Sequence, residues 1–300
     1  MMKYLCYYTL IISARGDFMN IGIAGLGLIG GSMAKALKTK TTNRIYGFDI
    51  NEDVVTEAVS RNVLDRKLTK DNISQCDLII IALYPEAAIE FVKNNAAGIG
   101  KDAIVMDCCG VKRLVCDALE PIAEEYGFTF IGAHPMAGLH MSGFAYSSEE
   151  MFKNASLVLC PDEKVKNEKV YILKGLFADV GFTNIQIATP EEHDRIIAFT
   201  SQLCHIVSNA YVKNNAALLH KGFSAGSYRD LTRVAKLNEH MWTELFLENK
   251  DYLAEELDEL IANLVQYKEA IIQADAVTLC NLLRDGRIRK ETIDGENYRN

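Results

Sequence analysis

The chain carries no excess of positive charge. Its 32 lysines and arginines are outnumbered by 40 aspartates and glutamates, which leaves a formal charge of −8 over 300 residues. A face that binds phosphate backbones must be basic, so this balance counts against a nucleic-acid partner, and any anionic substrate has to be held by a few local cations. The eight cysteines include no CxxC pair and no zinc-ligand spacing, and a chain of this length needs no disulfide framework. No metal site and a reducing, cytoplasmic setting are expected. The vicinal pair Cys108-Cys109 reads as two small apolar residues at a strand end. Long apolar runs are missing too: Leu5 to Ile12, behind the single Lys3, is too short to span a bilayer and lacks a clear cleavage site, so no membrane association is expected. There is no internal repeat and no low-complexity tract.

What the chain does have is a 49% hydrophobic composition, enough for two ordinary domains with real cores. One stretch organises the rest. From Ile21 to Met33 a short apolar strand passes through Gly25-x-Gly27-x-x-Gly30 into a helix start. Gly25 lets the chain turn, Gly27 leaves no side chain between backbone and a pyrophosphate, and Gly30 lets helix and strand pack closely. The helix N-terminus then offers unpaired N–H groups to phosphates. A second strand, Arg44-Ile-Tyr-Gly-Phe-Asp49, ends in an acid about twenty residues on, where a carboxylate accepts ribose hydroxyls and repels a 2′-phosphate. The turn residues Gly25, Gly27, Leu28, Ile29 and Gly30, with Asp49, are therefore expected to bind NAD rather than NADP.

Further along, apolar runs at 77–83, 103–107, 128–132, 156–160 and 184–187 alternate with helical patterns at 52–61, 86–95, 113–126 and 164–180. Runs buried on both faces belong to parallel sheets, so residues 19–188 are predicted to form a doubly wound, Rossmann-type domain. Met19 stands where such a first strand usually starts. Residues 1–18 are accordingly read as a non-native or disordered extension, with Arg15-Gly16-Asp17 as a translated ribosome-binding site and Met19 as the natural initiator.

At Thr189-Pro-Glu-Glu192 the pattern changes, because Thr at N-cap, Pro at N1 and Glu at N3 form a capping box. Residues 193–219, 227–236 and 242–274 all carry helical spacing, so 189–283 is predicted to be an all-helical substrate and dimerisation domain. Its apolar faces exceed what one thin domain buries, which points to a helix-exchanged homodimer. Residues 284–300 read as a polar, frayed tail.

The binding crevice of a doubly wound sheet lies beyond the carboxyl ends of its strands. Besides the glycine turn, those ends present Leu83-Tyr84, expected on the cofactor side, then Gly110 to Lys112, and Gly132-Ala-His134-Pro-Met-Ala-Gly138. His134 is the candidate base, although a histidine merely capping a turn fits the position as well.

Gly25 to Ser32, Gly132 to Gly138 with Ser142-Gly143, His193-Asp194, and Arg229-Asp-Leu-Thr-Arg233 with Trp242 resemble the prephenate/arogenate dehydrogenases of tyrosine biosynthesis, in their compact monofunctional form. The resemblance implies that His134 accepts the ring-hydroxyl proton while hydride leaves for NAD, and that Arg233 grips a substrate carboxylate. It further implies that Ser201 and His205 line the substrate pocket and that Gly226 approaches the site from the partner subunit. Asp230, three residues back on the same helix, either orients Arg233 or forms an ordinary exposed i,i+3 pair with it, and Arg229 is an additional candidate cation. Two departures stand out. Many relatives have Ser where this chain has Gly110, leaving a backbone N–H, a water or Lys112 to hold the ring hydroxyl. Some have Glu where it has His140, which bears on the choice between prephenate and arogenate. The resemblance implies NAD-dependent conversion of prephenate to 4-hydroxyphenylpyruvate. The alternatives are an arogenate dehydrogenase, a hydroxyacid or imine reductase on the same plan, and a non-catalytic NAD(H)-binding redox sensor.

Overall fold

Eight strands form one sheet in the order β3-β2-β1-β4-β5-β6-β7-β8 in the computed structural model, which describes residues 18–139 and 141–297. The expectations placed on residues 1–17 and on His140 lie outside the described residues. The strands are β1 (Asn20–Ala24), β2 (Arg44–Phe48), β3 (Arg66–Lys67), β4 (Leu78–Ile81), β5 (Ile104–Asp107), β6 (Thr129–Met136), β7 (Ser156–Pro161) and β8 (Asn184–Ile187). Every neighbouring pair is parallel except β6 with β7. The doubly wound architecture is thus present, with the last two strands, β7 and β8, running opposite to the other six, and with a short β3 that the sequence pattern does not announce.

Helices cover both faces. They are α1 (Leu28–Lys40), α2 (Glu52–Ser60), α3 (Pro85–Asn95), α4 (Arg113–Tyr126) and α5 (Asn167–Val180). Strand alternation divides the apolar side chains between two cores. Along β4, Leu78 and Ile80 join Met33, Leu37 and Phe177 in one core, while Ile79 and Ile81 join Val92 and Leu119 in the other. The order reverses between β1, followed in sequence by β2, and β4 on its other side. The carboxyl ends of these two strands therefore diverge and leave a crevice.

The helical region departs from expectation in three places. The helix predicted over 193–219 is broken: α6 (Pro190–Ile197) passes through a π-helical turn at Ala198–Leu203 into α7 (Cys204–Tyr211) and ends there. After α8 (Gly226–Thr232), the helix predicted over 242–274 is interrupted at Asn249 between α9 (Glu239–Glu248) and α10 (Lys250–Ile272). The predicted frayed tail is instead helical to Asn297, within α11 (Ala276–Asn297), although its surface is polar as expected. The Thr189 capping box is present, its hydroxyl accepting from the Glu192 N–H at 3.1 Å and the Glu192 carboxylate accepting from the Thr189 N–H at 2.9 Å.

Contacts divide the chain into a unit ending at Asn249 and a second unit, Lys250 onward, made of α10 and α11. Within the second unit the Tyr267 hydroxyl donates to the Leu282 carbonyl at 3.1 Å. Ile261, Leu264, Ile272 and Val277 stand exposed on it. Among the described residues no helix is long and apolar enough to cross a membrane, and no cluster of three or more His, Cys, Asp or Glu side chains is placed to hold a metal ion.

Candidate active site

A cleft of about 2130 Å³ opens at the carboxyl ends of β1 and β4, entirely within the first unit. Its nucleotide end is made by the turn after β1. Gly25 has φ +88°, and a Cβ there would lie 2.4 Å from the Ala82 carbonyl oxygen; a Cβ on Gly30 would lie 1.8 Å from the Gly25 oxygen. Both positions exclude any side chain. Gly27 differs, because its Cβ would meet nothing within 4 Å and would project into open space. It is also the N-cap of α1, with no side chain capping the first turn and no acid in it. Backbone N–H groups at a 13-residue helix start, with room directly in front of them, fit a dinucleotide pyrophosphate. Asp49 lines the same end. Its carboxylate already accepts the Leu26 N–H at 2.7 Å and the Asn51 N–H at 2.9 Å, so it staples the glycine turn to β2 as well as facing the cleft. Leu28, Ile29, Leu83 and Tyr84 line the cleft too, whereas Gly30 is buried beneath it.

His134 enters the cleft from the end of β6. Its Nδ1 lies 2.9 Å from Nε2 of His193, whose Nδ1 lies 2.7 Å from Oδ1 of Asp194. His193 and Asp194 sit in the first turns of α6 and are 3% and 1% exposed, so this chain of polar atoms is cut off from water. Burial alone would raise the Asp194 carboxyl, but the hydrogen bond from His193 and those from the backbone N–H groups of Arg113 and Lys112 hold it below the usual range. An ionised Asp194 accepts only, so His193 donates from Nδ1 and accepts at Nε2, and His134 donates from Nδ1. The arrangement leaves His134 Nε2 as the unprotonated nitrogen. Burial first, then the neighbouring His193 and the Lys112 ammonium, push the His134 pKa well below its ordinary value. The imidazole is therefore neutral at physiological pH.

The opposite wall comes from the broken helix and the segment after α8. The π-helical turn brings Thr200, Ser201 and Gln202 to the cleft; Gln202 is only 1% exposed, its amide donating to the Leu245 carbonyl at 3.0 Å and its oxygen accepting from Asn249 at 2.8 Å. Such turns are disproportionately found at functional sites because they re-aim side chains within a helix. His205 lines the cleft with its ring 4.0 Å from that of Trp242, and its Nδ1–H points at the Val234 carbonyl 3.3 Å away. Burial, with the nearby Arg233 guanidinium, lowers its pKa against the opposing pull of that carbonyl. Arg233 also lines the cleft, and among the described residues no carboxylate pairs with it.

Of the residues expected at the site, the structure gathers Gly25, Gly27, Leu28, Ile29, Asp49, Leu83, Tyr84, Gly110, His134, Ser201, His205 and Arg233 around this one cleft. Five do not reach it: Gly30, Lys112, Gly226, Arg229 and Asp230. Lys112, expected as a substrate contact, is 0% exposed; its ammonium pairs with Asp107 and donates to the Ala133 carbonyl at 2.7 Å. A strand-end position told nothing about which way its side chain turns. Gly30 packs beneath the cleft and does not line it, and Gly226 lies outside the cleft of its own chain. Asp230, expected to orient Arg233, instead lies 3.7 Å from Arg229 on the surface. Lys236, which lines the cleft, was not singled out in the sequence, having no motif to mark it.

The family model described as prephenate dehydrogenase, nucleotide-binding domain, matches residues 33–186, and that described as prephenate dehydrogenase, dimerization domain, matches residues 189–285. A prephenate dehydrogenase of Bacillus subtilis is 33% identical over 282 residues, covering 91% of this chain and 75% of the relative. Among solved structures, the prephenate dehydrogenase of A. aeolicus in complex with hydroxyphenyl propionate and NAD+ superposes with a TM-score of 0.79 at 28% identity, covering 92% of this chain and 98% of that one. The Synechocystis arogenate dehydrogenase superposes with a TM-score of 0.78 at 25% identity, covering 92% and 100%. With both halves of the sequence matched and a relative one-third identical along most of its length, the chain belongs to the prephenate dehydrogenase family.

Proposed function

We propose that the cleft oxidises and decarboxylates prephenate to 4-hydroxyphenylpyruvate and CO2, with NAD bound at the glycine turn. The observation that carries this reading is the neutral imidazole of His134, its Nδ1 committed to His193 and its Nε2 free, in the same cleft as the glycine turn and an unpaired Arg233. NAD, when bound, supplies the acceptor for the hydride on the hydroxyl-bearing ring carbon. As that hydride departs, positive charge grows on the carbon, and His134 Nε2 relieves it by taking the hydroxyl proton. Loss of the ring carboxylate as CO2 sends its electron pair through the ring to the oxygen, and His134 returns the proton to the resulting phenolate. Aromatisation makes the sequence irreversible. Arg233 holds a carboxylate with its planar fork, and Ser201 and His205 face the ring. Gly110 offers no hydroxyl, only backbone. Lys236 adds a second cation to the wall facing a dianionic substrate.

The family's dimerisation region spans the helices that expose Ile261, Leu264 and Ile272. This exposed apolar surface supports the reading that the C-terminal helices assemble two copies; the approach of Gly226 to the partner's cleft rests on the family resemblance. The free cysteines among the described residues fit a reducing cytoplasm.

The test is to offer prephenate and arogenate separately, each with NAD and with NADP, and to follow the absorbance of the reduced nicotinamide. Reduction with prephenate and NAD is expected. Turnover of arogenate alone makes the chain an arogenate dehydrogenase, the activity named for the Synechocystis relative. NADH binding without turnover of either makes it a sensor.

A further inference from the structure

Directly beneath His134 lies an ion pair to which the proposed reaction gives no part. Asp107 and Lys112 are both 0% exposed and paired with each other. Burying two charges carries a large desolvation cost, and such pairs are often replaced by apolar residues with no loss of stability. Its surroundings show what this one does. The β5–β6 ladder ends with Met106 opposite Ile131. One step further along the same edge of β6, the peptide group of Ala133 meets side chains instead of a strand. Its N–H donates to Asp107 Oδ1 at 2.9 Å, and its carbonyl accepts from the Lys112 ammonium at 2.7 Å. The next residue is His134. At the other end of the polar chain, the backbone N–H of Lys112 donates to Asp194 Oδ1 at 2.7 Å, the oxygen that also binds His193.

We propose that Lys112, with Asp107, is a positioning residue for the reaction: it ties both ends of the His134–His193–Asp194 chain to one buried point. Its ammonium fixes the backbone that carries the base, and its main chain fixes the carboxylate that sets the tautomer. This rests on the reading of His134 as the proton acceptor. The charged and titratable groups around that imidazole are His193 and Asp194 from α6, Lys112 and Asp107 from the loop after β5 and its strand end, Arg113 from α4, and His205 and Arg233 across the cleft. Lys112 also opposes protonation of both His134 and His193 through its charge.

Two variants of the full-length protein test this, Lys112→Met and the neutral pair Asp107→Asn/Lys112→Gln. The second guards against misfolding from an uncompensated Asp107. With prephenate and saturating NAD, the expected result for Lys112→Met is a fall in kcat of about 10²-fold from a loosened base, an unchanged KM for prephenate, and an acid limb of kcat/KM moved to higher pH. The neutral pair keeps a donor for the Ala133 carbonyl but no cation, so it loses less kcat and still shows the shifted limb. A raised KM at preserved kcat makes Lys112 a substrate contact and overturns the proposal, as does an unchanged limb with unchanged kcat. Histidine NMR of the substrate-free protein separates this from the proposed function. A His134 titration midpoint raised in the variants supports the positioning role even if the wild type turns over neither substrate, a result that sinks the proposed function alone. An unmoved midpoint overturns the positioning role.

Discussion

The two ends of the cleft are built from different material. At the nucleotide end the contact surface is backbone, shaped by glycines whose missing side chains make the room, and stapled by a single carboxylate, Asp49. At the imidazole end the contact surface is a side chain held by other side chains: His134 by His193, His193 by Asp194, and Asp194 by the backbone of Lys112 and Arg113. A site of backbone tolerates change in everything except side-chain size. A site of linked side chains tolerates volume changes but not the loss of a donor or acceptor, since a buried polar group without its partner costs about 1–3 kcal/mol.

The largest expected effect is on the imidazole end. His134→Asn should lower kcat by about 10²–10⁴-fold with NAD affinity intact, measured by steady-state kinetics and NAD titration; weakened NAD binding would merge the two ends into one. Arg233→Ala should leave kcat nearly unchanged and raise KM for the substrate. Because the guanidinium is exposed, the loss is set by one charged hydrogen-bonded contact, about 1.5–3 kcal/mol. The glycines sharpen the contrast within the nucleotide end. Gly30→Ala forces a methyl group against the Gly25 carbonyl and should lower thermal stability by about 1–3 kcal/mol or more, whereas Gly27→Ala should melt like the wild type and lose only NAD affinity.

Acid should find the imidazole end first. His134 and His193 titrate below their ordinary value in the folded protein, both chiefly through burial. As pH falls below ~6.5 the unfolded chain takes up protons that these folded imidazoles refuse, so stability declines with falling pH in that window, down to the folded pKa values. Denaturant titrations at neutral and mildly acidic pH check the sign, and His193→Gln should flatten the dependence. The smallest effect is expected at Gly110→Ser. A Cβ there comes no closer than 3.4 Å, to Leu245, so stability should stay within about 0.5 kcal/mol of wild type, and any change should be confined to kcat/KM.

The same contrast explains what could be read from the sequence. Strands β1, β2 and β4 and the glycine turn are local: apolar runs, φ-permissive residues and an acid at a fixed distance announce them, and the structure places them as expected. His134 was legible for the same reason, since it ends a strand. Lys112 was misread because a strand-end position does not tell whether a side chain turns out to the cleft or down to Asp107. The link from His134 to His193 joins β6 to α6 and leaves no spacing signal, although the adjacent pair His193-Asp194 was visible as a motif. The π-helical turn was hidden as well, because a four-residue stripe through His193, Ile197, Ser201 and His205 looks the same whether or not the helix widens between them. The break at Asn249 is set by tertiary contacts, its amide donating to the Asp194 carbonyl and to Gln202.

The most direct measurement is a crystal structure of the protein with NAD and a hydroxyphenyl acid. The expected result is the ring hydroxyl within hydrogen-bond distance of His134 Nε2, with His134 Nδ1 still on His193 and the acid's carboxylate on Arg233. A ligand whose hydroxyl faces away from His134, or a His134 released from His193 when the cleft is filled, contradicts the assignment of the base.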